Sequence, residues 1–152
     1  MLNGFLSSLL TAAHLAVTPT ACVRVSLTDN AVSNASTSVD AVAATAVQVL
    51  RSRGWTVYTI SGDSWECSGD MIISVGASSV VTNGVYAFTV LVTAYEKMDS
   101  KRRAGWWYWA EHHNQYGTWT AVAANSGEGN SQFMEGVTKY TAVVAENVEK
   151  DQ

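Results

Sequence analysis

Two periods of hydrophobic repetition alternate along the chain, and the points where they change divide it into elements. Over residues 22–27, Val23, Val25 and Leu27 alternate with Arg24 and Ser26, which predicts a first strand. Residues 29–36 are polar and read as a loop. The period then becomes helical, with Val39, Val42, Ala43, Ala46, Val49 and Leu50 falling on one stripe. Thr37 and Asp40 fit a capping box at the start of this helix. At its end Arg51 and Arg53 meet the negative pole of the dipole, and Gly54 offers a left-handed stop. Beyond Gly54 the period returns to two, predicting a second strand over 55–60 and a polar connection over 61–70.

The clearest local signal is Asn83-Gly84, set between two runs rich in β-branched and aromatic residues, 71–82 and 85–95. Asn-Gly adopts the positive backbone angles of a type I′ turn, whose twist matches that of paired strands, so the two runs form a hairpin. In its second arm Tyr86, Phe88, Val90 and Val92 share one face, and Val85, Leu91 and Tyr95 lie on the other. A second hairpin is expected to join 104–112 to 118–124 through Asn114-Gln115-Tyr116-Gly117. A final helix begins near Ser131, with Phe133, Val137, Tyr140, Val144 and Val148 as its apolar stripe.

This order predicts an α+β fold: a β-α-β unit, a four-strand meander and a C-terminal helix. The sheet is mainly antiparallel, with the helices packed on one face. The expectation is a single domain over 1–152, comprising an apolar N-terminal helix at 1–18 and a sheet-and-helix body at 22–152. Phe5, Leu6, Leu9 and Leu10 begin the apolar N-terminal run, which ends at Thr18-Pro19. It resembles the core of a signal peptide but has no Lys or Arg before Arg24, so it is read as a retained helix. It is too short to span a bilayer as a helix, and no other run would do so.

Composition sharpens the picture in three places. Only 14% of residues are charged, against a usual share of roughly a quarter. Such a surface suits a subunit partly covered by neighbours. The net charge of −4 argues against nucleic acid as the main partner, since phosphate binding draws on clustered cations. The one basic cluster, Lys97 with Lys101, Arg102 and Arg103, reads as a solvated turn between strands. Cys22 and Cys67 have no metal or redox spacing and read as buried free thiols, with one bridge as the alternative.

Catalytic patterns are not completed. Gly62-Asp63-Ser64 resembles the nucleophile block of some lipases, yet it lacks a Gly-x-Ser-x-Gly frame and no His follows His113. It therefore reads as a polar turn. Asp63, Glu66 and Asp70 read as solvated acids rather than as an acid–base pair or a calcium site. His112 and His113 beside Glu111 are adjacent on a strand, where neighbouring side chains point to opposite faces, so they are not expected to share a metal. Gly127 and Gly129 ahead of Asn130 and Ser131 read as a helix cap and not as a phosphate loop, since no Walker lysine follows. The chain is accordingly read as non-enzymatic, with no cofactor and no metal.

The unusual segment is Trp106-Trp107-Tyr108-Trp109, followed by Tyr116 and Trp119. On a strand, Trp106 and Tyr108 face one way and Trp107 and Trp109 the other, so one set enters the core and the opposite set needs cover. These six residues, with Phe5 and Leu9 of the N-terminal run, are the candidate interface.

Three functional readings follow. The preferred one is a structural or assembly subunit working through protein–protein contacts with itself or other subunits, such as a phage tail or neck component in a virion, or a cytoplasmic assembly. The second is a secreted or envelope-associated accessory protein, since the element order is similar to that of small outer-membrane assembly lipoproteins. The third is a helix-grip-like module for a small molecule or carbohydrate, with a pocket lined by Tyr86, Phe88, Trp107 and Trp109.

Overall fold

A computed structural model describes residues 18–122 and 126–152, with the side chains at 116, 118–122, 126 and 127 outside that description. The expected N-terminal helix at 1–18, with Phe5 and Leu9, falls outside the described residues apart from its last position.

Strands β1 (Thr20–Leu27), β2 (Thr56–Ile60), β3 (Met71–Thr82), β4 (Val85–Asp99) and β5 (Trp107–Val122) form one sheet in the order β2-β1-β3-β4-β5. Helices α1 (Asp29–Asn34) and α2 (Val39–Ser52) lie between β1 and β2 in the chain, and α3 (Ser126–Lys150) follows β5. The fold is α+β, as the periodicity implied. The sheet, however, is mixed and not mainly antiparallel: β1 pairs in parallel with both β2 and β3, and only β3-β4-β5 runs antiparallel.

That difference has a physical origin in residues 61–70. β2 ends with Ile60 opposite Arg24, whereas β3 begins with Met71 opposite Ala21. The connection must therefore run back along β1 before β3 can start. Parallel crossovers usually contain a helix, and a polar segment of this length without one reads in sequence as a simple turn. The meander is also shorter than expected, with three strands in place of four. Residues 107–122 form one strand with no turn at Asn114–Gly117, and the real turn is the basic segment 100–106. The segment 29–36 also contains the short helix α1, capped by the Thr28 hydroxyl accepting from the Ala31 amide. Ala31 is its sole buried residue, too little to leave a periodic trace.

Alternation along the strands puts Val23, Val25, Ile73, Val75, Phe88, Val90 and Val92 on the face that meets the helices. Leu50, Val42 and Ala46 of α2 close one half of this core, and Phe133, Val137, Val144 and Val148 of α3 close the other. The α2 cap is Ser38, one residue beyond Thr37, and its hydroxyl accepts from the Ala41 amide at 3.1 Å. Asn83 and Gly84 take φ values of 53° and 75°, giving the expected two-residue turn between Thr82 and Val85.

The two long helices are tied at their C-terminal ends. The Glu149 carboxylate accepts from Arg53 Nε and Nη2 at 2.8 and 2.6 Å and from Trp55 Nε1 at 2.9 Å. The Arg53 hydrogen bond, opposed by partial burial and reinforced by Trp55, holds the Glu149 carboxyl below its ordinary range. A lowered folded-state value stabilises the fold above the ordinary glutamate range, and the gain disappears as pH falls through the lowered value. Replacing Glu149→Gln should therefore cost about 1 kcal/mol near neutrality and flatten the acid limb of the stability–pH curve. Urea denaturation from neutral to acid pH checks both effects.

Candidate functional site

With all described helices on one face, the opposite face of the sheet carries the unusual chemistry. Cys22 and Arg24 point to it, because Ala21, Val23 and Val25 point to the helices. The returning segment 61–70 lies over this face as a strap. It closes on the β1 backbone: a Cβ at Gly62 would sit 2.5 Å from the Val25 carbonyl oxygen, and one at Gly69 the same distance from that of Thr20.

Between these close approaches the strap is held by a disulfide joining Cys22 and Cys67, so the free-thiol reading is overturned. The sulfurs meet because the strap runs antiparallel to β1, a juxtaposition that spacing in the sequence does not reveal. Trp65, two residues earlier, covers Arg24, whose guanidinium lies 4.4 Å from the ring centroid. Tyr95 of β4 meets Trp65 edge-on at 5.1 Å, and Trp109 Nε1 donates to the Trp65 carbonyl at 3.0 Å. Ser64 accepts from the Glu66 amide at 3.0 Å, so the lipase-like triplet does turn work within the strap.

The aromatic run extends this surface toward the turn between β4 and β5. Trp107 and Trp109 share the strap face, with ring centroids 5.5 Å apart, and Lys97 stands 4.6 Å over Trp107. Trp106 precedes the strand and packs under Arg103, 4.2 Å from its centroid. Neither set enters the core: Trp106, Trp107 and Tyr108 are 57%, 46% and 52% exposed. The run sits beyond the end of the helical layer, paired with Asp99, Met98 and Lys97. Tyr116 and Trp119 pair through their backbones with Leu91 and Phe88, and their side chains lie outside the described residues.

A groove of about 470 Å³ runs beside the disulfide, lined by Tyr58, Ile60, Glu66, Ser68 and Trp107 among others. The pocket expected of Tyr86, Phe88, Trp107 and Trp109 does not form, because Phe88 is buried against Phe133 on the helix face while both tryptophans lie on the other. Sequence reasoning overlooked Arg24, Tyr58, Trp65 and Tyr95. Their only local signal was the placing of Cys22 with Arg24, and of Trp65 with Cys67, at two-residue spacing.

The histidines depart from simple strand alternation. A register shift between Ala94 and Tyr95 places His113 opposite Ala94 and Glu111 opposite Tyr95, leaving His112 as the extra residue of a β-bulge. Both rings consequently turn toward Asp151, and they meet edge-on with centroids 4.4 Å apart. Asn130, in the glycine-rich start of α3, donates from Nδ2 to the carbonyl of Ala35 at 2.8 Å and ties that helix to the α1–α2 turn.

No protein-family model matches the chain, and no curated protein sequence matches it either. Among the described residues no helix is long and apolar enough to cross a membrane.

Closing the 45-residue loop with the disulfide is worth about 2–4 kcal/mol, largely through the unfolded state. The double variant Cys22→Ala/Cys67→Ala should lose stability in that range in denaturant titrations. It should also render Trp65 more accessible to acrylamide quenching, since the strap is then free to lift from β1.

Proposed function

We propose that the chain is a non-enzymatic structural or assembly subunit that docks onto another protein surface through its aromatic corner. The observation that carries this reading is the contiguous exposure of Trp106, Trp107 and Tyr108 beside four cations, Lys97, Lys101, Arg102 and Arg103. Large exposed aromatics next to arginine have the composition of interface hot spots. Four of the nine Lys and Arg residues gather here although the chain carries −4 overall. The rest of the surface is therefore acidic, and a second copy offers a complementary face for head-to-tail contact. The Cys22–Cys67 bridge favours an oxidising setting, such as the envelope, a secreted complex or a virion surface, over a cytoplasmic assembly.

Light scattering across protein and salt concentration tests this. The native chain should form a defined oligomer that weakens with salt, and the double variant Trp106→Ser/Trp107→Glu should be monomeric with an unchanged melting temperature. A wild-type chain that stays monomeric at every concentration overturns self-association. Trp109 is the wrong target, because its indole N–H holds the strap.

A second reading draws on the groove beside the disulfide, where Tyr58 and Trp107 supply flat apolar surfaces on which sugar rings can stack. Saturation-transfer NMR with neutral oligosaccharides separates it from the first, since Tyr58→Ala should abolish sugar contact while leaving any oligomer intact.

A further inference from the structure

The bulge in β5 and the end of α3 build a second constellation, away from the aromatic corner. His113 Nε2 lies 2.9 Å from Asp151 Oδ2, and His112 Nε2 lies 3.4 Å from the same oxygen. One ligand atom from each of His112, His113 and Asp151 falls within 4.8 Å of the others. A hydrogen bond explains the shorter contact. It does not require the second ring, whose 3.4 Å separation is long for an N–H donor.

We propose that His112, His113 and Asp151 bind one divalent cation of the zinc class, with a fourth position open to water or to a group from a partner. Zinc holds imidazole and carboxylate ligands at about 2.0–2.2 Å in a tetrahedron, which sets neighbouring ligand atoms roughly 3.3 Å apart. The observed separations bracket that spacing, and the side chains are partly exposed, so small rotamer changes suffice to close on an ion.

Three surrounding features favour a cation at this place. Glu96 Oε2 lies 3.5 Å from His112 Nδ1, longer than a hydrogen bond but on the side where an outer carboxylate orients a ligating imidazole once a small rotation closes the gap. The site abuts the C-terminal end of α3, whose unpaired carbonyls carry partial negative charge. Lys150, the nearest cation in sequence, is drawn away by its ion pair with Glu146 at 2.6 Å. The end of the helix is itself anchored, since Glu149 is clamped by Arg53 and Trp55 and the Asp151 amide donates to the Val148 carbonyl at 3.2 Å. The nitrogen-rich donor set selects a borderline metal over calcium or magnesium, which prefer all-oxygen shells.

The test is a titration of the purified oxidised chain with zinc against a chromophoric chelator at neutral pH, with Co²⁺ as a spectroscopic probe. The expected result is one zinc per chain, unaffected by excess Mg²⁺, together with the visible absorption of four-coordinate Co²⁺. His113→Ala and Asp151→Asn should each remove both signals. Glu96→Gln should weaken binding by about tenfold without changing stoichiometry, as the loss of an outer-shell carboxylate does. All of these side chains are at least partly exposed, so each variant is expected to fold, which circular dichroism checks. Failure to bind zinc, or zinc binding that survives His112→Ala/His113→Ala, overturns the proposal and leaves the cluster as an ion pair.

Discussion

The covalent clamp between the strap and the central strand organises one whole side of this protein. β1 sits between two parallel neighbours, and the chain must cross back over it to pass from β2 to β3. No helix makes that crossing, so its backbone gains no regular ladder of its own and needs other means of attachment. The Cys22–Cys67 bridge, close contact at Gly62 and Gly69, and the stacking of Trp65 on Arg24 supply them. The buried half of Arg24 is thereby covered by an aromatic ring instead of an acid, a less costly way to shield a cation than an unpaired pocket.

The asymmetry of the two sheet faces follows. Helices α2 and α3 share one face and bury a continuous apolar core, knitted at its edge by Arg53, Trp55 and Glu149. The other face receives only a short strap among the described residues, and it presents aromatic and polar groups in place of a second core. β4 and β5 also outrun the helices, so the segment from Lys97 to Trp109 projects past the packed layers. That overhang makes its tryptophans available for contact while their neighbours Lys97 and Arg103 hold them by cation–π interactions.

One irregularity in β5 has consequences at both its ends. The bulge at His112 shifts the alternation along β5, so that the residues preceding it face opposite to where continuous alternation from His113 would put them. It directs Trp107 and Trp109 to the strap face, where Trp109 reaches the Trp65 carbonyl, and it leaves adjacent histidines converging on Asp151. The aromatic corner and the histidine cluster thus depend on the same extra residue.

Much of the architecture was legible in the sequence. Helical spacing identified Val42, Ala43, Ala46 and Leu50 of α2 and Phe133, Val137, Val144 and Val148 of α3, which are in fact buried, although Val39 at the start of the first stripe is exposed; Asn83-Gly84 located the hairpin with its register. These features are local: a period or a turn residue carries its own physical requirement, whatever surrounds it. The mixed sheet, the bridge between Cys22 and Cys67, and the cover over Arg24 all depend on the path of residues 61–70, whose composition suits a plain turn equally well. Strand alternation likewise separates His112 from His113, and only the pairing of β5 with β4 introduces the bulge that unites them. The sequence by itself determined which faces are apolar, because hydropathy is a property of each residue's side chain. Which strands lie side by side, and hence which polar groups meet, was decided by long-range packing that no local pattern encodes.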